Sequence, residues 1–139
     1  MTDVSETTIP AGPECHAGFR VSGAHLDLDA ITQTLGIKPT HVHGPGDLNI
    51  LGEPYPDFMW SVDSPLRREE DLGAHLDWLG TTLSPQISYL RTLKNTADLS
   101  IVCNYLTSDT DQGGFTLTPR NLSFALELDI RVEFHLLFI

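Results

Sequence analysis

The last ten residues, IRVEFHLLFI, constrain the fold of this chain more than any other segment. Ile130, Val132, Phe134, Leu136 and Phe138 alternate with Arg131, Glu133 and His135. Side chains along a strand point to opposite faces in turn, so one face of this segment is apolar throughout. Left at an open edge, such a strand is an aggregation hazard. It is therefore expected to be either a covered interior strand or an edge buried in a homodimer. The same period recurs over 15–22, where Ala17, Phe19 and Val21 share a face. It recurs over 57–63 with Phe58, Trp60 and Val62, and over 97–107 with Leu99, Ile101, Cys103 and Tyr105. Shorter strands are expected at 40–44 (THVHG) and 115–118 (FTLT).

Helical spacing fills the intervals. Asp27 or Asp29 caps a helix carrying Leu28, Ile31 and Leu35, which Gly36 and Pro39 end. Leu72, Leu76, Leu79 and Leu83 form a stripe on a helix expected over about 68–83, whose start suits the acidic run Glu69, Glu70, Asp71 better than Arg67 and Arg68. Trp78 lies about 100° from Leu79 around that helix, so partial exposure is expected. Ser84-Pro85 opens a shorter helix with Ile87, Leu90 and Leu93 inward. Thr118-Pro119 opens another over 119–128, with Leu122, Ala125, Leu126 and Leu128. The order is β-α-β-β-α-α-β-β-α-β. It predicts a disordered tail over 1–14 and one α+β layered domain over 15–139, with a mostly antiparallel sheet covered by helices, ferredoxin-like in outline. Phe19, Ile31, Trp60, Leu76, Ile101, Leu126 and Val132 are the expected core.

Composition narrows the function classes. The chain has 139 residues, 8 Lys plus Arg against 19 Asp plus Glu, and a formal net charge of -11. Nucleic acid and anionic membrane surfaces both require a positive counter-surface, so neither is an expected partner. No run approaches the roughly 18 apolar residues of a spanning helix, and the opening MTDVSETTIPAGPE lacks the basic head and apolar middle of a secretory signal. The expected location is the cytoplasm, with Cys15 and Cys103 as reduced thiols. Asn121-Leu122-Ser123 matches the glycosylation pattern inside a predicted helix and is read as chance.

The run FRVSGAHLDLDAITQTLGIKPTHVHGPGD, with Leu35, Gly36, Ile37, Pro39, Thr40 and Gly44, resembles the opening of the bacterial domain of unknown function family 4279. Trp60 is similar to the family's strand tryptophan, and LGAHLDWLGTTLSPQISYLRTL to its proline-broken leucine-rich helix. The resemblance covers about residues 17–139. Its motifs are structural, and it implies no established activity, cofactor or catalytic residue. One departure is FHLLFI, where the family pattern implies an acidic residue and a tyrosine.

Candidate chemistry is sparse. His41 and His43 point to one face of a predicted strand and Asp47 follows across a Gly-Pro-Gly turn, a spacing compatible with a divalent metal. Alternating polar residues on an exposed strand produce the same pattern, so no metal and no cofactor is expected. His16, His25, His75 and His135 have no fixed spacing to this pair. Tyr55 and Phe58 flank Pro56 and could form an apolar patch beside it. GPGD lacks the lysine of a phosphate loop. Cys15 and His16 are adjacent and point to opposite faces, and no nucleophile elbow is present. The chain is therefore expected not to be an enzyme. The favoured reading is a non-catalytic protein-binding module, of toxin-neutralising or regulatory type, drawing a basic partner to Glu69, Glu70, Asp71, Asp77, Asp109 and Asp111. The alternatives are a metal- or small-ligand-binding protein using His41, His43 and Asp47, and a structural homo-oligomer subunit.

Overall fold

A computed structural model of the chain describes residues 12–108 and 114–138. Five strands form one sheet: β1 (Glu14–Gly23), β2 (His41–His43), β3 (Phe58–Asp63), β4 (Asp98–Thr107) and β5 (Arg131–Phe138). Their order is β2-β3-β1-β4-β5. The sheet is mixed: β2–β3, β3–β1 and β1–β4 are antiparallel, while β5 joins β4 in parallel. Four α-helices are described, α1 (Leu28–Leu35), α2 (Leu72–Leu83), α3 (Ile87–Leu93) and α4 (Pro119–Leu128), with a 3-10 turn at Ser84–Gln86 between α2 and α3. Most of the tail expected over 1–14 lies outside the described residues, and Glu14 already belongs to β1.

One face of the sheet carries the core. Ala17, Phe19 and Val21 of β1, Trp60 and Val62 of β3, and Leu99, Ile101, Cys103 and Tyr105 of β4 form one buried cluster with residues of all four helices. Several helix boundaries have a local cause. Asp27 accepts the Ala30 N–H at 3.0 Å to open α1, and Gly36 ends it at φ 66°. Thr118 and Asn121 form a reciprocal capping box at α4, with Pro119 in the first turn. Asp129 ends α4 at φ 58°, the conformation Gly36 adopts after α1. The Lys94 ammonium, at the end of α3, donates to the Leu128 and Asp129 carbonyls at 3.0 and 2.7 Å, where the helix dipole of α4 is negative.

The crossing of α2 and α4 depends on two glycines seven residues apart. A Cβ on Gly73 would lie 2.7 Å from Asn121 Oδ1, and one on Gly80 would lie 3.2 Å from Phe124 Cβ. Asn121 uses this close approach to donate to the Gly73 carbonyl at 3.3 Å and to Asp77 Oδ1 at 2.8 Å.

Four expectations need correction. FTLT is not a strand: both edges of β4, the strand that precedes it, are taken by β1 and β5. Phe115 instead packs against Tyr105 and Phe134, at ring separations of 5.2 and 5.6 Å. The helix expected from about 68 begins at Leu72, capped by Asp71 through the Ala74 N–H at 2.7 Å. Residues before it run along the edge of β1 that β3 leaves free, where the Cys15 N–H donates to the Arg68 carbonyl at 2.8 Å. Leu126 is 73% exposed, because Phe124, Ala125 and Leu128 form the buried face of α4. Phe124 supplies the bulk there, meeting Phe19 edge-on at 6.3 Å. Finally, Val132, expected in the core, is half-buried, because β5 takes the edge placement of the two expected for it.

This packing predicts a contrast between two leucines. Leu76→Ala should cost roughly 2–5 kcal/mol, as for other core leucines. Leu126→Ala should stay within about 0.5 kcal/mol of wild type, as at surface sites. Denaturant midpoints at constant slope measure both.

Candidate functional site

The connection from β3 to α2 helps build a concave part of the surface. Ser64 donates its N–H to the Ala17 carbonyl at 2.9 Å, which ties the start of the connection to β1. The chain then turns so that Glu69 and Asp71 face the end of β4. Together with Cys15, Leu72, Tyr105 and Phe115 they line a cleft of about 650 Å³. A cavity of this size falls in the range of small-ligand sites. Its acids lie along the Glu69–Asp71 side, and its aromatic wall is Tyr105 and Phe115, braced by the Tyr105 hydroxyl donating to the Gly114 carbonyl at 3.0 Å.

The predicted acidic residues divide among several environments. Glu69 and Glu70 are exposed, and Glu69 has Arg67 at 3.7 Å. Asp71 is committed by one oxygen to capping α2. Asp77 is turned onto Asn121. The same contacts occupy the Asn121 amide inside the glycosylation-like sequence. Asp109 and Asp111 lie outside the described residues.

Cys15 is buried in the floor of the cleft. Burial raises its pKa, the Asp71 charge raises it further, and the Leu72 N–H opposes both. The group therefore rests as a thiol, the less nucleophilic form. Cys103 is pushed up to about 12, by burial first and then by Cys15. His16 does not serve Cys15. Its Nε2 lies 3.8 Å from Asp63 Oδ2, and its ring centre lies 6.1 Å from that of His75.

His75 is the least expected group. It is fully buried on α2, its Nδ1 lies 2.8 Å from Ser64 Oγ, and its Nε2 has no hydrogen-bond partner among the described residues. Burial lowers its pKa and His16 lowers it further, while the Arg67 backbone, Glu70 and Asp71 act the other way. Its spacing, three residues after Leu72 and four before Leu79, was the signal that places it within the buried stripe.

The structure brings His41 and His43 together at the opposite edge of the sheet. His41 Nε2 lies 2.9 Å from His43 Nδ1, and the His43 ring stacks on Tyr55 at 3.4 Å and 7°. Burial lowers the His43 pKa, His41 lowers it further, and Asp47 raises it. Asp47 Oδ2 accepts the Gly44 N–H at 2.7 Å, within the turn that Gly46 closes at φ 88°. Phe58 is half-buried behind Gly44. No group of three or more His, Cys, Asp or Glu among the described residues is arranged to hold a metal ion. The loop beyond exposes Leu48, Ile50 and Leu51, an apolar tip that sequence reasoning passed over.

The environment of His75 predicts a pH response. Its folded pKa lies below the unfolded value near 6.5, so the unfolded chain takes up its proton first as pH falls. Stability should therefore decline once pH drops below about 6.5, and the His75 part of that loss should level off below the folded pKa. Urea melts across this range should show a shallower pH slope in His75→Leu than in wild type.

No helix among the described residues is long and apolar enough to cross a membrane. No curated protein and no solved structure matches the chain. A family model does match, over residues 13–138 and so over nearly all of the sheet and helices described above. The chain therefore belongs to the family described as Domain of unknown function (DUF4279).

Proposed function

We propose that this protein is a non-catalytic protein-binding module of the cytoplasm, of regulatory or toxin-neutralising type, and that its partner presents a basic, partly apolar segment. The observation that carries this reading is the cleft itself, whose lining combines Glu69 and Asp71 with Tyr105 and Phe115. A lysine or arginine side chain has an apolar stem and a cationic head, and such a cleft offers complementary surface to each part. The net charge of -11 adds a long-range field that draws basic partners and repels acidic ones. The resting thiol state of Cys15 supports a binding role over a nucleophilic one. Two free, buried cysteines accord with a reducing compartment. In outline we take β1 to β4 as ferredoxin-like, supported by the order β2-β3-β1-β4 with antiparallel neighbours.

The test uses fluorescein-labelled peptides of alternating arginine and leucine, followed by anisotropy. Binding should weaken as salt rises, because screening shortens the reach of the field. Charge reversal in Glu69→Lys/Glu70→Lys should weaken it roughly tenfold, at a stability within about 0.5 kcal/mol per site. Phe115→Ala should weaken it also, and His41→Ala/His43→Ala should leave it unchanged. Peptides that ignore both charge reversal and Phe115→Ala would overturn the reading. Turnover of a substrate lost in one cleft substitution at unchanged stability would replace it with an enzyme.

The alternative, a metal- or small-ligand protein, has one observation in its favour: the convergence of His41 Nε2 and His43 Nδ1. Zinc added to the purified chain tests it by calorimetry. Stoichiometric binding lost in His41→Ala/His43→Ala would favour this second reading.

A further inference from the structure

The outer edge of the sheet carries an inference independent of the cleft. β5 runs from Arg131 to Phe138 in unbroken register with β4, and no strand among the described residues pairs with its other side. Phe134 is 40%, Leu136 50%, Leu137 56% and Phe138 66% exposed. Natural sheets protect their edges by keeping them short, charged, bulged or covered. At the far end of this sheet β2 has only three residues, which is such a protection. β5 has eight, with no proline and no bulge. Its outer N–H and C=O groups and its apolar side chains form a template for another strand.

We propose that the occupant is a second copy of this chain, joined by antiparallel β5–β5 pairing across a two-fold axis. The order of side chains along β5 selects the register. Arg131, Glu133 and His135 lie on one face, with Arg131 Nε donating to Glu133 at 2.8 Å and His135 Nε2 3.6 Å from the same carboxylate. Arg131 is further held on its own chain by Asp98, through paired contacts of 2.7 and 2.9 Å. A register centred on Phe134 sets Glu133 opposite the partner's His135, twice by symmetry. It also sets Val132 opposite the partner's Leu136 and Phe134 opposite its own copy. A register centred on Glu133 would oppose two carboxylates and set Arg131 against the partner's His135. One centred on His135 would set Glu133 against the partner's Leu137. Opposite charges across a strand pair stabilise it and like charges destabilise it. The Phe134-centred register also sets Arg131 opposite the partner's Leu137, where the guanidinium keeps its own-chain Asp98 contacts, and it is the one of these three that gives Glu133 a complementary partner. It gives a continuous ten-stranded sheet, in which Glu133 faces the partner's His135 on both sides of the axis.

Sedimentation equilibrium of the full chain over a concentration series tests this. Wild type should approach the dimer mass. His135→Glu should weaken the dimer roughly tenfold, since it sets carboxylate against carboxylate twice, and Glu133→Lys should weaken it by removing the acceptor that faces the partner's His135. The double variant Glu133→Lys/His135→Glu exchanges the pair and should restore association. Ile50→Ser, in the apolar loop tip, should leave it unchanged. Thermal melts followed by circular dichroism confirm that each variant is folded. Should a single variant unfold, hydrogen exchange of the wild-type chain decides: amides of residues 131–138 should slow as concentration rises. A chain that is monomeric at every concentration would overturn the proposal and leave the edge to a different protein. So would a dimer indifferent to the β5 charges, a dimer lost in Ile50→Ser, or exchange over 131–138 that does not depend on concentration.

Discussion

Main-chain hydrogen bonding along β1 is the demand that the other elements meet in turn. A buried strand cannot leave its N–H and C=O groups unpaired, since each orphan costs a large part of what the fold gains. From Gly18 onward β3 meets that demand on one side, and β4 meets it on the other along nearly the whole strand. Between Cys15 and Ala17 no strand is available on the β3 side, and the connection to α2 takes its place. That substitution positions the acidic segment. Glu69 and Asp71 reach the cleft because the chain must first run along β1 before Asp71 can open α2. The cleft is therefore a by-product of completing the central strand.

The helix layer has its own point of control where α2 and α4 cross. Gly73 and Gly80 let the two backbones approach, and Asn121 spans the gap with hydrogen bonds to both chain segments. One side chain thus caps α4, joins it to α2 and engages the Asp77 carboxyl. The same crossing brings Phe124 over Phe19 and fixes which leucines of α4 face water.

Much of the architecture was legible in local patterns, because alternation and capping are local causes. Strands β1, β3 and β4, the Leu72-Leu76-Leu79-Leu83 stripe, the Gly36 stop and the Thr118-Pro119 start needed only neighbours in sequence. What could not be read depended on distant partners. FTLT has strand-like side chains, but both edges of the preceding strand, β4, are taken by β1 and β5. Leu126 and Phe124 compete for the same helix face, and the choice lies with Gly80 on another helix. The candidate site followed the same division. The His41 and His43 pairing followed from strand period alone. The gathering of Glu69, Asp71, Tyr105 and Phe115 around one cleft required the path of the connection, which no spacing encodes. His75 was legible in principle: its place in the leucine stripe outweighed its polarity.

The two ends of the sheet are unequal, and that inequality limits how large an assembly can become. A sheet open at both edges grows by adding copies head to tail, without a natural stopping point. Here one margin is a three-residue strand and the other a full-length one. Pairing two full-length margins consumes them both, and what then faces outward on either side is the short strand. Growth ends at the first addition. In the proposed dimer the asymmetry thus gives an apolar edge a closed form instead of a fibre.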